Sequence, residues 1–229
     1  MNSYRERLAH VERLVLWGSA VFPALFVLLL MAVQWPEYWK WINAEMTPMT
    51  SLEVALMLTI AMVAMTAGAQ AWIRNEAKYR DWQLLAAGFF YCAMDDRFAI
   101  HERIRDSILI PHDVRVPFLP WVGPGDFILL IYAAVGLALL PRLLRLFRGN
   151  SAAARRLIAA VCVAAVAVML DTVELKSLTE NAQKLEQTVE ECMELTAQIL
   201  FLHAVVIAWF ARLAQGAIRT PANEVVEAA

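Results

Sequence analysis

The chain has 229 residues, of which 60% are hydrophobic and 18% are charged, and its mean hydropathy is +0.53. Soluble domains are usually about half apolar and about a quarter charged, so this composition excludes an ordinary soluble globular protein. The net charge is −2, and no run of basic residues indicates binding to nucleic acid.

Six apolar segments are long enough to cross a membrane, because roughly 20 helical residues span a hydrocarbon core of about 30 Å. They lie at residues 14–33, 51–72, 82–102, 126–147, 155–175 and 190–212. The third, fifth and sixth segments carry acidic residues among apolar ones. No domain boundary or internal repeat separates the segments. The sequence therefore predicts a single all-α domain over residues 1–229, a polytopic membrane helix bundle of about six transmembrane helices.

Lysine and arginine are concentrated in alternate loops, and this bias predicts the orientation of the bundle. The inner side then carries 13 basic and 6 acidic residues, and the outer side carries 7 basic and 16 acidic residues. Both termini are expected in the cytoplasm of a bacterium, in a multi-pass protein of the inner (plasma) membrane. Membrane lipid is the expected partner, and association into a homo-oligomer or a larger membrane complex stays open.

The last helix is expected to begin well before it enters the membrane. Ser177-Leu-Thr-Glu180 has the pattern of a capping box, which marks the start of a helix. Apolar residues at positions 178, 185, 189 and 193 continue with helical spacing. We therefore expect one continuous helix from near Ser177 into the sixth segment.

Acidic residues of five segments fall at a similar height, near the outer side of the membrane. Ionisable residues inside membrane spans are costly and usually mark functional sites. Depth follows from the helical rise of about 1.5 Å per residue. Counted in this way, the acids of the third, fifth and sixth segments lie in the same outer layer as Glu53 and Asp126. These two residues stand at the outer starts of the second and fourth segments. This coincidence of depth is the main functional signal of the sequence.

Helical angle then selects the acids that project together. Asp95 and Glu102 are seven residues apart and share a face, with His101 close to it, whereas Asp96 points away and is expected to pair with Arg103. Pairs separated by three residues also project together, as in Asp171 with Glu174 and Glu191 with Glu194. The predicted metal ligands are Asp95, His101, Glu102, Asp171, Glu174, Glu191 and Glu194. Glu190 is predicted as a catalytic base or as a group that supports a ligand.

Several carboxylates brought together cannot all stay ionised unless cations compensate them, and metal ions, protons or arginines are the three candidates. A divalent ion such as Fe, Mn or Zn is favoured if His101 is a ligand, and Mg or Ca if it is not. The ExxH pairs of di-metal helical bundles are missing, so that match is partial. In the competing interpretation the acids are solvated or neutralised by Arg97, Arg103 and Arg105. His203 is expected to be a hydrogen-bonded core residue.

The sequence Met94-Asp-Asp-Arg-Phe-Ala-Ile-His-Glu102, followed by Glu190-Glu-Cys-Met-Glu194, resembles a loose group of uncharacterised bacterial multi-pass membrane proteins. Members of that group carry an acidic pair and then His-Glu on one helix, and clustered glutamates on a late helix. The resemblance covers about the third to sixth segments, and Asp96 stands where the group implies Glu. No activity is assigned to the group, so the resemblance supports the site and not a reaction.

Three classes of function are consistent with these features. The leading one is a metal-dependent membrane enzyme with a periplasm-facing carboxylate and histidine site, where one or two ions activate water or dioxygen. A cation- or proton-coupled transporter would use the same acids. However, the inner halves of the segments have almost no polar residues, and glycine is scarce for broken helices. A structural subunit of a membrane complex is the third class.

Overall fold

The computed structural model describes residues 2–44, 46–118, 122–123, 125, 127–171 and 179–219, without the side chains of residues 2 and 216–219. Within this part of the chain, the α-helices are α1 (Asn2–Val33), α2 (Pro48–Ile73), α3 (Tyr79–Phe98), α4 (Ile100–Ile104), α5 (Phe127–Leu146), α6 (Ser151–Asp171) and α7 (Glu180–Arg219). A 3-10 turn at Tyr38–Trp41 precedes α2, and a π-helical turn at Arg105–Leu109 follows α4. The predicted all-α bundle is confirmed.

Five helices, α1, α2, α5, α6 and α7, are long and apolar enough to cross a membrane. The third predicted segment corresponds to α3, which is not one of these five. Charged residues lie near both ends of α3, Arg80 and Asp81 at its start and Asp95 and Asp96 near its end, and leave only 13 uncharged residues between Asp81 and Asp95. That a sixth helix crosses the membrane therefore stays a prediction.

Small residues allow α2 and α3 to pack closely as one helical hairpin. A Cβ atom added at Gly68 of α2 would stand 3.1 Å from the Cβ atom of Trp82 on α3, so a larger residue would force the two helices apart. Small residues commonly bring helix backbones together in membranes, where apolar side chains gain little by leaving lipid. The small buried residues of α2 are Ala61, Ala64, Ala67, Gly68 and Ala71.

The second hairpin consists of α6 and α7. Asn150 caps α6, because its side-chain oxygen accepts a hydrogen bond of 3.1 Å from the backbone N–H of Ala153. Helix α7 has 40 residues and is about 60 Å long, about twice the thickness of a hydrocarbon core. The prediction of a continuous last helix is confirmed from Glu180 onward. The proposed capping residue Ser177 and the neighbouring Leu178 lie outside the described residues.

A histidine in the core joins α1, α6 and α7. The side chain of His203 on α7 is 5% exposed, with Nδ1 2.7 Å from Nη1 of Arg156 and Nε2 3.1 Å from Oγ of Ser19. Because a guanidinium can only donate, Nδ1 accepts from Arg156, and Nε2–H donates to Ser19. The prediction that His203 is a hydrogen-bonded core residue is confirmed.

Ion pairs join the loops of one end of the bundle, and these are the loops with many basic residues. Arg212 near the end of α7 donates from Nη1 to Oε2 of Glu76, in the α2–α3 connection, at 3.0 Å. Arg142 of α5 donates to Asp81 at the start of α3. These contacts lie at one end of the bundle. The chain segments that they join are the ones that the charge bias assigned to the inner side. The predicted acidic layer belongs to the opposite end.

Candidate metal site

A polar cavity of about 220 Å³ lies at the end of the bundle opposite these ion pairs. Seven carboxyl groups, one imidazole and one guanidinium belong to its described lining. The lining residues are Asn43, Thr50, Glu53, Asp96, His101, Glu102, Arg105, Leu129, Asp171, Gln187, Glu190, Glu191 and Glu194. Seven carboxylates facing one guanidinium cannot all remain charged without additional cations or protons, so the lining itself requires compensation.

Three glutamates from two helices lie close together in the cavity. One carboxylate oxygen each from Glu53 of α2 and from Glu191 and Glu194 of α7 lies within 4.8 Å of the other two. Two oxygens on opposite sides of a divalent ion, bonded at about 2.3–2.6 Å, are roughly 5 Å apart. The three oxygens are therefore close enough to contact one ion. Glu53 is 2% exposed, so bulk water does little to screen its charge.

A second group of acids joins α6 to α7. Asp171 and Glu190 both line the cavity, and their carboxyl groups interact with each other. A carboxylate can only accept, so two carboxyl groups can share a hydrogen bond only when one of them holds a proton. Two neighbouring carboxyl groups such as these can hold one proton between them, and could release it when a cation replaces it.

The chain between α3 and α4 departs from one continuous helix at Ala99. This residue has φ +48° and ψ +48°, in the left-handed region, so α3 ends at Phe98 and a new short helix begins at Ile100. The expectation of a single helix over 82–102 is therefore wrong. The inference that Asp95 and Glu102 share a face also fails, because it assumed a uniform 100° per residue across this break.

Asp95 contacts His101 and is not part of the cavity lining. Its Oδ1 accepts a hydrogen bond of 3.0 Å from the backbone N–H of His101, and its Oδ2 lies 2.7 Å from Nδ1 of the same residue. Asp96, which the helical wheel directed away from the site, lines the cavity instead. With a left-handed residue between Asp96 and Arg103, their seven-residue spacing no longer places them on one face, and the pairing expected for them stays a prediction.

The structure brings six of the eight predicted site residues to the cavity. These are His101, Glu102, Asp171, Glu190, Glu191 and Glu194. Asp95 is 5% exposed behind His101, while Glu174 lies outside the described residues, as does Asp126. The roles of all these residues as ligands or base stay predictions.

Two carboxyl groups of the cavity, Glu53 and Asp96, were missing from the predicted ligand set. The height of Glu53 at the outer start of its span was a usable signal, but only the packing of α2 against α7 shows which neighbours it meets. Asp96 was set aside because of its spacing to Arg103, and the break at Ala99 makes that spacing uninformative.

Arginine accounts for a part of the negative charge. Arg105 lines the cavity, and its guanidinium is 3.5 Å from a carboxylate oxygen of Glu102 and 2.9 Å from one of Asp106. Neither Arg97 nor Arg103 belongs to the described lining. Neutralisation by arginine thus applies to Glu102, which contacts Arg105 directly.

Comparison with known proteins adds a family but no activity. The family model described as Domain of unknown function (DUF8692) matches residues 42–209. The matched region begins after α1 and includes every residue of the cavity lining. No curated protein and no solved structure matches the chain.

Proposed function

Because the chain belongs to the DUF8692 family, whose description names no activity, we propose a function from the site itself: a metal-dependent membrane enzyme whose carboxylate and histidine cavity faces the periplasm. The observation that carries the proposal is the approach of Glu53, Glu191 and Glu194 to within 4.8 Å of one another inside a polar cavity. Such a group is stable when a cation offsets the repulsion between its charges.

The residues of the cavity fit a divalent ion with oxygen ligands and one nitrogen ligand. Glu53, Glu191 and Glu194 would hold the ion, with Asp96, Asp171 or Glu102 completing its coordination and His101 supplying nitrogen. This set favours Fe, Mn or Zn, and Mg or Ca if His101 stays outside the coordination sphere. The volume of about 220 Å³ also leaves room for water beside the ion.

A bound divalent ion supplies Lewis acidity and lowers the pKa of its water, which provides a nucleophile near neutral pH. Glu190 is the base of the proposed mechanism, because its carboxyl group lies in the cavity beside that of Asp171, and two neighbouring carboxyl groups can take up and release a proton. Arg105 would orient an anionic group of the substrate beside Glu102. The predicted height of the cavity, near the outer side of the membrane, favours a substrate that reaches it from the outer lipid interface.

A cation- or proton-coupled transporter is the competing class, and it would need a polar path from the cavity toward the inner side. One feature gives it some support: on α7, Gln198 lies one turn below Glu194, and both Gln198 and His203 are buried. Residues 199–202 between them are apolar, however, and His203 is held by Ser19 and Arg156. This interruption favours the enzyme.

The test is metal analysis of the protein purified in detergent. We expect about one or two divalent ions per chain in the wild type, and loss of bound metal in Glu53→Gln and Glu194→Gln. Glu180→Gln is the matched control, because Glu180 starts the same helix as Glu194 but its side chain is 80% exposed and pairs with Lys184. A wild type that holds no stoichiometric metal, and binds none of Mn, Fe, Zn, Mg or Ca on titration, would overturn the proposal. Uptake of the ion into proteoliposomes would instead identify a transporter.

A further inference from the structure

We propose that Asp95 is a positioning residue: it holds His101 through Nδ1 and leaves Nε2 as the nitrogen available to an ion in the cavity. The proposal rests on the metal site proposed above. It assigns to Asp95 a role that the sequence did not suggest, where Asp95 appeared as a ligand. The role follows from the two contacts between these residues, from the burial of Asp95 and from the turn at Ala99.

Both carboxylate oxygens of Asp95 are used by one residue. Oδ1 accepts from the backbone N–H of His101 at 3.0 Å, which fixes the start of α4, and Oδ2 contacts Nδ1 at 2.7 Å, which fixes the ring. Asp95 is 5% exposed, so water competes little for these contacts. The imidazole, which belongs to the cavity lining, thereby loses its freedom to rotate about the side-chain torsions.

The contact also decides which ring nitrogen can bind a metal. An ionised carboxylate only accepts hydrogen bonds, so Nδ1 of His101 carries the hydrogen in the contact with Asp95. In the neutral ring Nε2 then has no hydrogen and keeps its lone pair. Histidines that bind metals commonly use one nitrogen for the ion and donate from the other to a carboxylate or a carbonyl. His101 and Asp95 have this arrangement before any ion is considered.

The left-handed turn at Ala99 is what brings Asp95 and His101 together. In a continuous helix, residues six apart are about 9 Å apart along the axis and about 120° apart around it, too far for two hydrogen bonds. Ala99 adopts φ +48°, and the chain folds back so that the N–H of His101 meets the side chain of Asp95. This conformation is unfavourable for a residue with a Cβ atom, and the two hydrogen bonds offset its cost.

The experiment measures the tautomer of His101 and the affinity for Zn²⁺ in the full-length protein in detergent. The chain has only four histidines, so selective labelling with ¹⁵N-histidine gives few imidazole signals, and His101→Gln assigns the relevant one. In the metal-free wild type at alkaline pH we expect the Nδ1–H tautomer of His101. On titration with Zn²⁺ the Nε2 signal should shift. Asp95→Asn should weaken Zn²⁺ binding about 10–100-fold, the usual effect of removing such a partner.

Asp95→Asn keeps an oxygen that can accept from the backbone N–H of His101, so it isolates the contact with the ring. Asp113→Asn is the control, because Asp113 is a mostly exposed aspartate paired with Arg115 outside the cavity, and its Zn²⁺ affinity should equal that of the wild type. Restored affinity in Asp95→Glu would support positioning by a carboxylate.

The outcomes separate this inference from the proposed function. An Nε2–H tautomer of His101 in the wild type, which needs no variant to detect, would overturn the inference. Unchanged Zn²⁺ affinity in a folded Asp95→Asn protein would also overturn it while leaving the metal site intact. A wild type with the Nδ1–H tautomer but without metal binding would overturn the proposed function instead.

Discussion

Removal of one glutamate from the three-glutamate group should have opposite effects on stability with and without metal. The oxygens of Glu53, Glu191 and Glu194 lie within 4.8 Å of one another. At an effective dielectric constant of about 20, two unit charges at this separation repel by about 3.5 kcal/mol. Each glutamate repels two others, so the repulsion within the fully ionised group would exceed the free energy needed to protonate one glutamate. Holding a proton on an ordinary glutamate at pH 7 costs about 3.7 kcal/mol. This value is the upper limit of the destabilisation that the third glutamate causes in the metal-free protein.

Glu194→Gln removes this penalty in the metal-free protein, and we expect about 3 kcal/mol of stabilisation. For a chain of this size that corresponds to a rise in Tm of roughly 6–12 °C. With a saturating divalent ion the sign reverses. The wild type then gains about 4.1 kcal/mol from an ion at 1,000 times its Kd, which exceeds the stabilisation of the metal-free variant, and the variant, which lacks a ligand, gains far less.

Thermal unfolding in detergent, followed by circular dichroism with EDTA or with the ion, measures both effects. Glu53→Gln should behave as Glu194→Gln does, since both belong to the same group, and Glu180→Gln should change Tm little in either condition. A Glu194→Gln protein that is less stable than the wild type in EDTA as well would refute the reasoning. The carboxylate of Glu194 would then be stabilised by a partner inside the protein, and not by an ion.

Three further predictions concern the orientation of the protein, the backbone at Ala99 and the side chain of His203. Reporter fusions at Arg148 and Ala182 should report cytoplasm and periplasm, and the same side for both would contradict the topology. Ala99→Gly should raise stability by up to about 1 kcal/mol and Ala99→Val should lower it by more than that, because φ +48° suits glycine; equal melting temperatures would contradict this. His203→Ala should cost about 1–3 kcal/mol in thermal unfolding, since the guanidinium of Arg156 loses its acceptor; an unchanged Tm would argue against the contact.

Hydropathy and helical rise predicted the overall architecture and the height of the site. Apolar segments predicted the helical bundle because a helix satisfies its backbone hydrogen bonds internally wherever it lies in the membrane. Height could be read from the sequence because each helical residue adds nearly the same rise, and residues such as Glu191 and Glu194 stay together on an unbroken helix. Six of the eight predicted site residues accordingly line one cavity.

Two features could be found only from the tertiary structure: the direction in which a side chain projects from its helix, and the neighbouring helix that it meets. The choice of Asp95 over Asp96 relied on their spacing to Glu102 and Arg103, and one residue with positive φ at Ala99 makes that spacing uninformative. The meeting of Glu53 with Glu191 depends on the packing of α2 against α7, helices that are far apart in the sequence. The local sequence determines the period of a helix. Contacts between distant residues determine where a helix breaks and which helices it packs against, and the spacing of residues along the chain does not predict those contacts.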